Sequence, residues 1–90
     1  MKIEDLQIKL KEAGIQEDKY HLHGLYGSMD DNDKIALTIR REKTKIEFEV
    51  YYKEKGEKRS LKIFESEDEA CQYVYTRLKE NKEIEDKWSK

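Results

Sequence analysis

Proline is missing from this chain altogether, and glycine occurs only four times in ninety residues. That scarcity excludes a long Gly- or Pro-rich linker, so the expectation is one domain over residues 1–90, element after element with short turns. A lone cysteine, Cys71, excludes an intrachain disulfide framework and any paired-cysteine metal site. No apolar run approaches the ~18 residues that span a bilayer. The segment MKIEDLQIKLKEAG is charged throughout and lacks the apolar block of a signal peptide. A reducing, cytoplasmic location and no membrane partner are the expectations that follow.

Charge is what the chain has in abundance, at 44% of residues against 36% hydrophobic. The net value of −2 hides an asymmetry. Residues 34–64 carry ten bases against five acids, whereas the segments on either side are acidic. A solvated surface accounts for such a pattern, and so does a face polarised toward a charged partner.

Hydrophobic spacing gives the elements. Ile3, Leu6, Leu10 and Ala13 form the stripe of an amphipathic helix. Gly14 suits the left-handed position past its end, with Ile15 placed to pack back on Leu10. Tyr20, Leu22 and Gly24 alternate with His21 and His23, which predicts a first strand, and 27–33 is a turn by composition. Ile35, Leu37 and Ile39 predict a second strand. Ile46, Phe48, Val50 and Tyr52 alternate with Lys45, Glu47, Glu49 and Tyr51 in a third. Gly56 lies in a polar reversal over 53–58, after which Leu61 and Ile63 continue the alternation in a fourth strand over 60–64. Ser66 and Glu69 have the spacing of a capping box, opening a helix at Glu67 whose stripe is Ala70, Tyr73, Val74 and Leu78. Ile84 and Trp88 keep helical phase, so residues 81–90 read either as an extension of this helix or as a frayed tail.

The fold class expected is α+β, a two-layer sandwich in the order α-β-β-β-β-α. All connections between strands are too short for a helical crossover, which predicts a four-stranded antiparallel sheet with both helices on one face. The other face is expected open, lined by His21, His23, Thr38, Arg40, Glu47, Glu49, Tyr51 and Lys62.

Catalytic equipment is sparse. Cys71 with His21 or His23 would be needed for a thiol–imidazole pair, but Cys71 falls one position off a helical core stripe, where a half-buried structural cysteine is the plainer reading. His21 and His23 share one face of a strand, yet two histidines without a third ligand are a weak zinc signal. Asp30, Asp31 and Asp33 lack the spacing, central glycine and terminal glutamate of a calcium loop. The chain is therefore read as a non-enzyme with no cofactor or metal. Nucleic acid is disfavoured as a partner: Tyr51 is the one outward aromatic on its strand, it sits between acids, and the overall charge is negative.

The run Val50-Tyr-Tyr-Lys-Glu-Lys-Gly56, followed by Leu61-Lys-Ile-Phe-Glu-Ser-Glu-Asp-Glu-Ala-Cys71 and Leu78, resembles small bacterial immunity proteins of polymorphic toxin and contact-dependent inhibition systems. The similarity extends over most of residues 3–80 and is tight over 48–78. Two places depart from the pattern: Phe48 and Glu49 stand where a tryptophan is common, and His21 to Gly27 replaces a more glycine-rich segment. The resemblance implies a protein that binds and neutralises a cognate toxin, a nuclease by preference, through stoichiometric occlusion. The partner-binding residues expected on that basis are Asp30, Asp31, Asp33, Glu47, Glu49, Tyr51, His21 and His23, an acidic and aromatic set suited to a basic cleft. The alternative is a small nucleic-acid-binding or regulatory module that uses the basic central strands.

Overall fold

A computed structural model describes residues 1–88; Ser89 and Lys90 lie outside the described residues. Two helices pack on one face of a five-stranded sheet. The elements are α1 (Ile3–Glu12), β1 (Tyr20–Leu22), β2 (Tyr26–Gly27), β3 (Ile35–Arg41), β4 (Ile46–Glu54), β5 (Glu57–Phe64) and α2 (Glu67–Trp88), with a 3-10 turn at Glu17–Lys19. No helix among the described residues is long and apolar enough to cross a membrane.

Local chemistry sets the helix ends. Gly14 takes φ +77°, its amide donates to the Lys11 carbonyl, and the Ile15 amide donates to that of Leu10. This is the Schellman arrangement, and it drops Ile15 onto Leu10 in the core. At the other helix, Ser66 Oγ accepts the Glu69 amide at 3.3 Å. Instead of Glu69 completing a box, Glu67 Oε2 reaches out and accepts the Ile3 amide at 2.9 Å, which ties the starts of the two helices together. α2 runs without interruption to Trp88, so residues 81–88 extend the helix.

The sheet corrects the expected topology. Its order is β2-β1-β3-β4-β5, and β1 pairs with β3 in parallel, Tyr20 against Ile35 and Leu22 against Leu37. No crossover helix is needed, because the chain returns inside the sheet. After a tight turn in which His23 and Gly24 both have positive φ, β2 runs back antiparallel along β1. Residues 28–34 then carry the chain across to the start of β3. A return strand of two residues offers no alternation to read, which hid it in the sequence.

Gly27 allows this close return. A Cβ there would lie 2.5 Å from the Tyr20 carbonyl oxygen and 2.6 Å from its ring, and φ is +80°. The core beneath combines Ile3, Leu6 and Leu10 of α1, Ala70, Cys71, Val74 and Leu78 of α2, and Tyr20, Leu22, Ile35, Leu37, Phe48 and Val50 of the sheet. Each fully buried leucine contributes ~1.5–3 kcal/mol relative to exposure. Cys71 is fully buried, deeper than its place beside the stripe suggested. Burial, aided by the nearby Glu67 carboxylate, pushes its thiol up to about 12.

β5 differs from expectation in register. Lys55 and Gly56 both have positive φ and form a two-residue hairpin turn. Pairing begins regularly, Lys53 with Lys58 and Tyr52 with Arg59, and then slips by one, Val50 with Lys62 and Phe48 with Phe64. Ser60, at φ +53°, is the extra residue of a β-bulge. The slip turns Lys62 toward the helices, its Nζ 5.2 Å from the Tyr73 ring, and turns Leu61 and Ile63 to the outer face. Lys62 was expected outside and Leu61 and Ile63 inside; the bulge reverses all three.

Candidate functional site: the outer sheet face

The face of the sheet away from the helices carries His21, Ala36, Thr38, Arg40, Glu47, Glu49, Tyr51, Lys53, Lys58, Leu61 and Ile63 by strand alternation and register. It is open only in part. The loop over 28–33 folds across one end of it and changes the roles of several residues expected to bind a partner.

Tyr51 shows this most clearly. It points to the outer face as expected, but it is 3% exposed. Its hydroxyl donates to Asp31 Oδ2 at 2.6 Å, Lys53 Nζ reaches Asp31 Oδ1 at 3.3 Å, and Lys58 Nζ lies 4.6 Å from the ring centroid. Tyr51 is therefore an internal anchor for the loop, not a free aromatic contact. The Tyr51 hydroxyl, and then Lys53, hold the Asp31 carboxyl below its ordinary range. Burial raises the Tyr51 phenol, and Asp31 raises it further.

Glu49 is the one buried charged residue among those described, at 3% exposed. Lys58 Nζ approaches its Oε1 at 2.8 Å and Arg40 Nη1 its Oε2 at 3.3 Å, so both oxygens have a cation above them. An isolated carboxylate would not survive such burial; two half-exposed cations acting as a lid make it tolerable. Glu47 is screened in the same way by Lys45 at 3.6 Å. Asp30 pairs with Lys34 at 2.9 Å, and this bond together with the Asn32 amide lowers its pKa. Asp33 is exposed on a left-handed backbone at φ +55°.

Each histidine is tied to the backbone through Nδ1. His21 Nδ1 donates to the Ser28 carbonyl at 2.9 Å and holds the loop's first residue to β1. His23 sits past the strand end at φ +51°, where its Nδ1 accepts the Ile39 amide at 3.0 Å. The expectation that both project from one strand face is corrected by the turn at His23. No group of three or more metal-ligating side chains occurs among the described residues.

Of the eight expected site residues, the structure gathers His21, Glu47, Glu49, Tyr51 and Asp31 on or over one face, leaves Asp30 and Asp33 on its rim, and puts His23 in the turn past β1. It adds what the sequence reading missed: Leu61 and Ile63, 49% and 48% exposed, side by side with Arg40 and Lys58 on the uncovered half. The positive φ of Ser60 that puts them there leaves no composition signal. The accessible chemistry of the uncovered half is thus apolar and cationic, with its acids underneath. Comparison with family models, with curated proteins and with solved structures finds no match for this chain.

Proposed function

We propose that the chain is an immunity-type inhibitor that binds a cognate antibacterial toxin, of the nuclease class, and silences it by stoichiometric occlusion. The observation that carries this reading is the outer sheet face. It is bare of helix, its polar groups are pinned by Asp31–Tyr51 and by Glu49 under Arg40 and Lys58, and it presents two aliphatic side chains to solvent. An apolar pair on the edge strand, flanked by charged groups that are already paired, is a surface suited to protein association. Asp30 and Asp33, on the rim and not bonded to Tyr51, are placed to meet basic groups at the mouth of a nuclease cleft and to steer encounter.

The alternative, a nucleic-acid module, gains less from this arrangement. Several cations of the central strands already have acidic partners: Arg40 and Lys58 share Glu49, Lys45 meets Glu47, Lys53 meets Asp31, and Arg59 meets Glu54 and Glu57. A phosphate backbone would have to displace these pairs one by one.

Under this proposal a toxin domain is expected beside this gene, and the test is to co-express that domain with this chain. Growth restored by the wild-type chain, together with a 1:1 complex, supports the proposal. Growth arrest that the chain does not relieve overturns it.

A further inference from the structure

The hydrophobic pattern of β5 and its observed pairing disagree by one residue. If the hairpin pairing of Tyr52 with Arg59 simply continued, Leu61 would fall opposite Val50, Lys62 opposite Glu49 and Ile63 opposite Phe48. Both aliphatic chains would then face the helices, and a lysine would stand beside a buried carboxylate. Instead the bulge at Ser60 intervenes, Val50 meets Lys62, and Phe48 meets Phe64.

A one-residue slip flips every side chain of a strand, so the two pairings bury different residues. The bulged pairing keeps Phe64 against Tyr73, ring centroids 5.5 Å apart, and Lys62 over the same tyrosine. Against this it leaves Leu61 and Ile63 half exposed and holds a serine at φ +53°. The regular pairing reverses each of these terms. Moving between them requires no change in the Lys55–Gly56 turn. It moves the extra residue from Ser60 to Glu65, an exposed bend between the strand and the Ser66 cap. β5 is an edge strand, bonded to β4 alone, so nothing on its other side fixes the register.

We infer that β5 exchanges between these two registers, and that the exchange regulates the outer face: the bulged register presents Leu61 and Ile63 for contact, and the regular register withdraws them into the core. The functional half of this statement rests on the outer face being the contact surface; the exchange itself does not. A partner that touches Leu61 and Ile63 binds one register only, and so shifts the population by its differential affinity.

Nuclear magnetic resonance on the free protein separates the two claims, because it needs no toxin. Relaxation dispersion and saturation-transfer spectra of the wild type are expected to show exchange confined to β5 and the facing residues 48–50, with a minor state of about 1% or more. Ser60→Gly, which accepts positive φ freely, is expected to quench that exchange. Ser60→Val, in which a β-branched side chain opposes positive φ, is expected to replace the Glu49–Ile63 contact by Glu49–Lys62 in the Hα–Hα cross-peaks, which report the non-hydrogen-bonded pairs of β4 and β5. Flat wild-type profiles over β5 overturn the inference whether or not Ser60→Val folds, and so does a folded Ser60→Val that keeps only the Glu49–Ile63 cross-peak. Exchange that is present in a protein with no toxin affinity would remove the proposed function and leave the two registers standing.

Discussion

The bond between Tyr51 and Asp31 is where the loop meets the sheet, and a double-mutant cycle measures it. The two are twenty residues apart in sequence, and the oxygens lie 2.6 Å apart with the Tyr51 ring almost fully covered. A hydrogen bond to a charged group is worth about 1.5–3 kcal/mol. Asp31 keeps some solvent contact and retains Lys53 after the hydroxyl is removed, so the coupling expected is about 1–2 kcal/mol. Tyr51→Phe keeps the buried ring and deletes only the donor; Asp31→Asn keeps the shape and deletes the charge. Urea unfolding followed by the helical circular dichroism signal gives all four corners of the cycle. At neutral pH, Tyr51→Phe alone is expected to cost about 1–2 kcal/mol, which lowers Tm by roughly 5–10 °C for a domain of this size.

The pH dependence has two arms. Asp31 titrates lower in the folded state than its ordinary 3.8, so the stability it adds is present above that value and is lost as pH falls toward the folded pKa. Tyr51 titrates higher than its ordinary 10, so its contribution is complete below pH 10 and is lost as pH rises beyond it. The coupling should therefore be flat between about pH 5 and 9 and decline at both ends. Free energies that add within about 0.3 kcal/mol at pH 7 would refute the account of Tyr51 as the loop's anchor.

Other consequences are equally direct. Gly27→Ala is expected to destabilise by ~3 kcal/mol or more, whereas Gly24→Ala, at a similar positive φ but in open space, should cost only ~1 kcal/mol; equal losses in thermal melts would mean that the clash with Tyr20 is relieved elsewhere. Ser66→Ala removes the acceptor for the Glu69 amide and should cost ~1 kcal/mol in the same melts, leaving partner binding intact. Cys71, buried and with its thiol pushed up to about 12, should ignore a thiol reagent at pH 8 until denaturant is added; rapid labelling of the native protein would contradict the packing of α2.

Much of this fold is legible because its signals are local. The stripe of Ile3, Leu6 and Leu10, the Gly14–Ile15 terminator, the alternation from Ile46 to Tyr52 and the opening of α2 at Glu67 each follow from residues within a turn or two of one another. What escapes the sequence is non-local or is carried by backbone angles. β2 is too short for a period, so the parallel partnership of β1 and β3 has no visible precursor. Ser60 is an ordinary residue in an extraordinary conformation, and nothing in its type announces a bulge that reverses Leu61, Lys62 and Ile63. The acidic triplet was legible as a loop but not as a clasp: Asp31 is spent on Tyr51, leaving Asp30 and Asp33 as the accessible carboxylates.

The central claim is that the uncovered half of the outer sheet face seats a toxin. Calorimetric titration of the toxin domain that the proposal expects beside this gene tests it most directly, with a Leu61→Ser/Ile63→Ser variant set against Ile8→Ser, an exposed residue of α1. The account predicts 1:1 binding by the wild type, a loss of about thirtyfold or more in affinity for the β5 variant, as for a contact worth about 2 kcal/mol, and a change below about threefold for Ile8→Ser. Binding that survives the β5 substitutions undiminished while Ile8→Ser abolishes it would place the interface on the helices and contradict the claim.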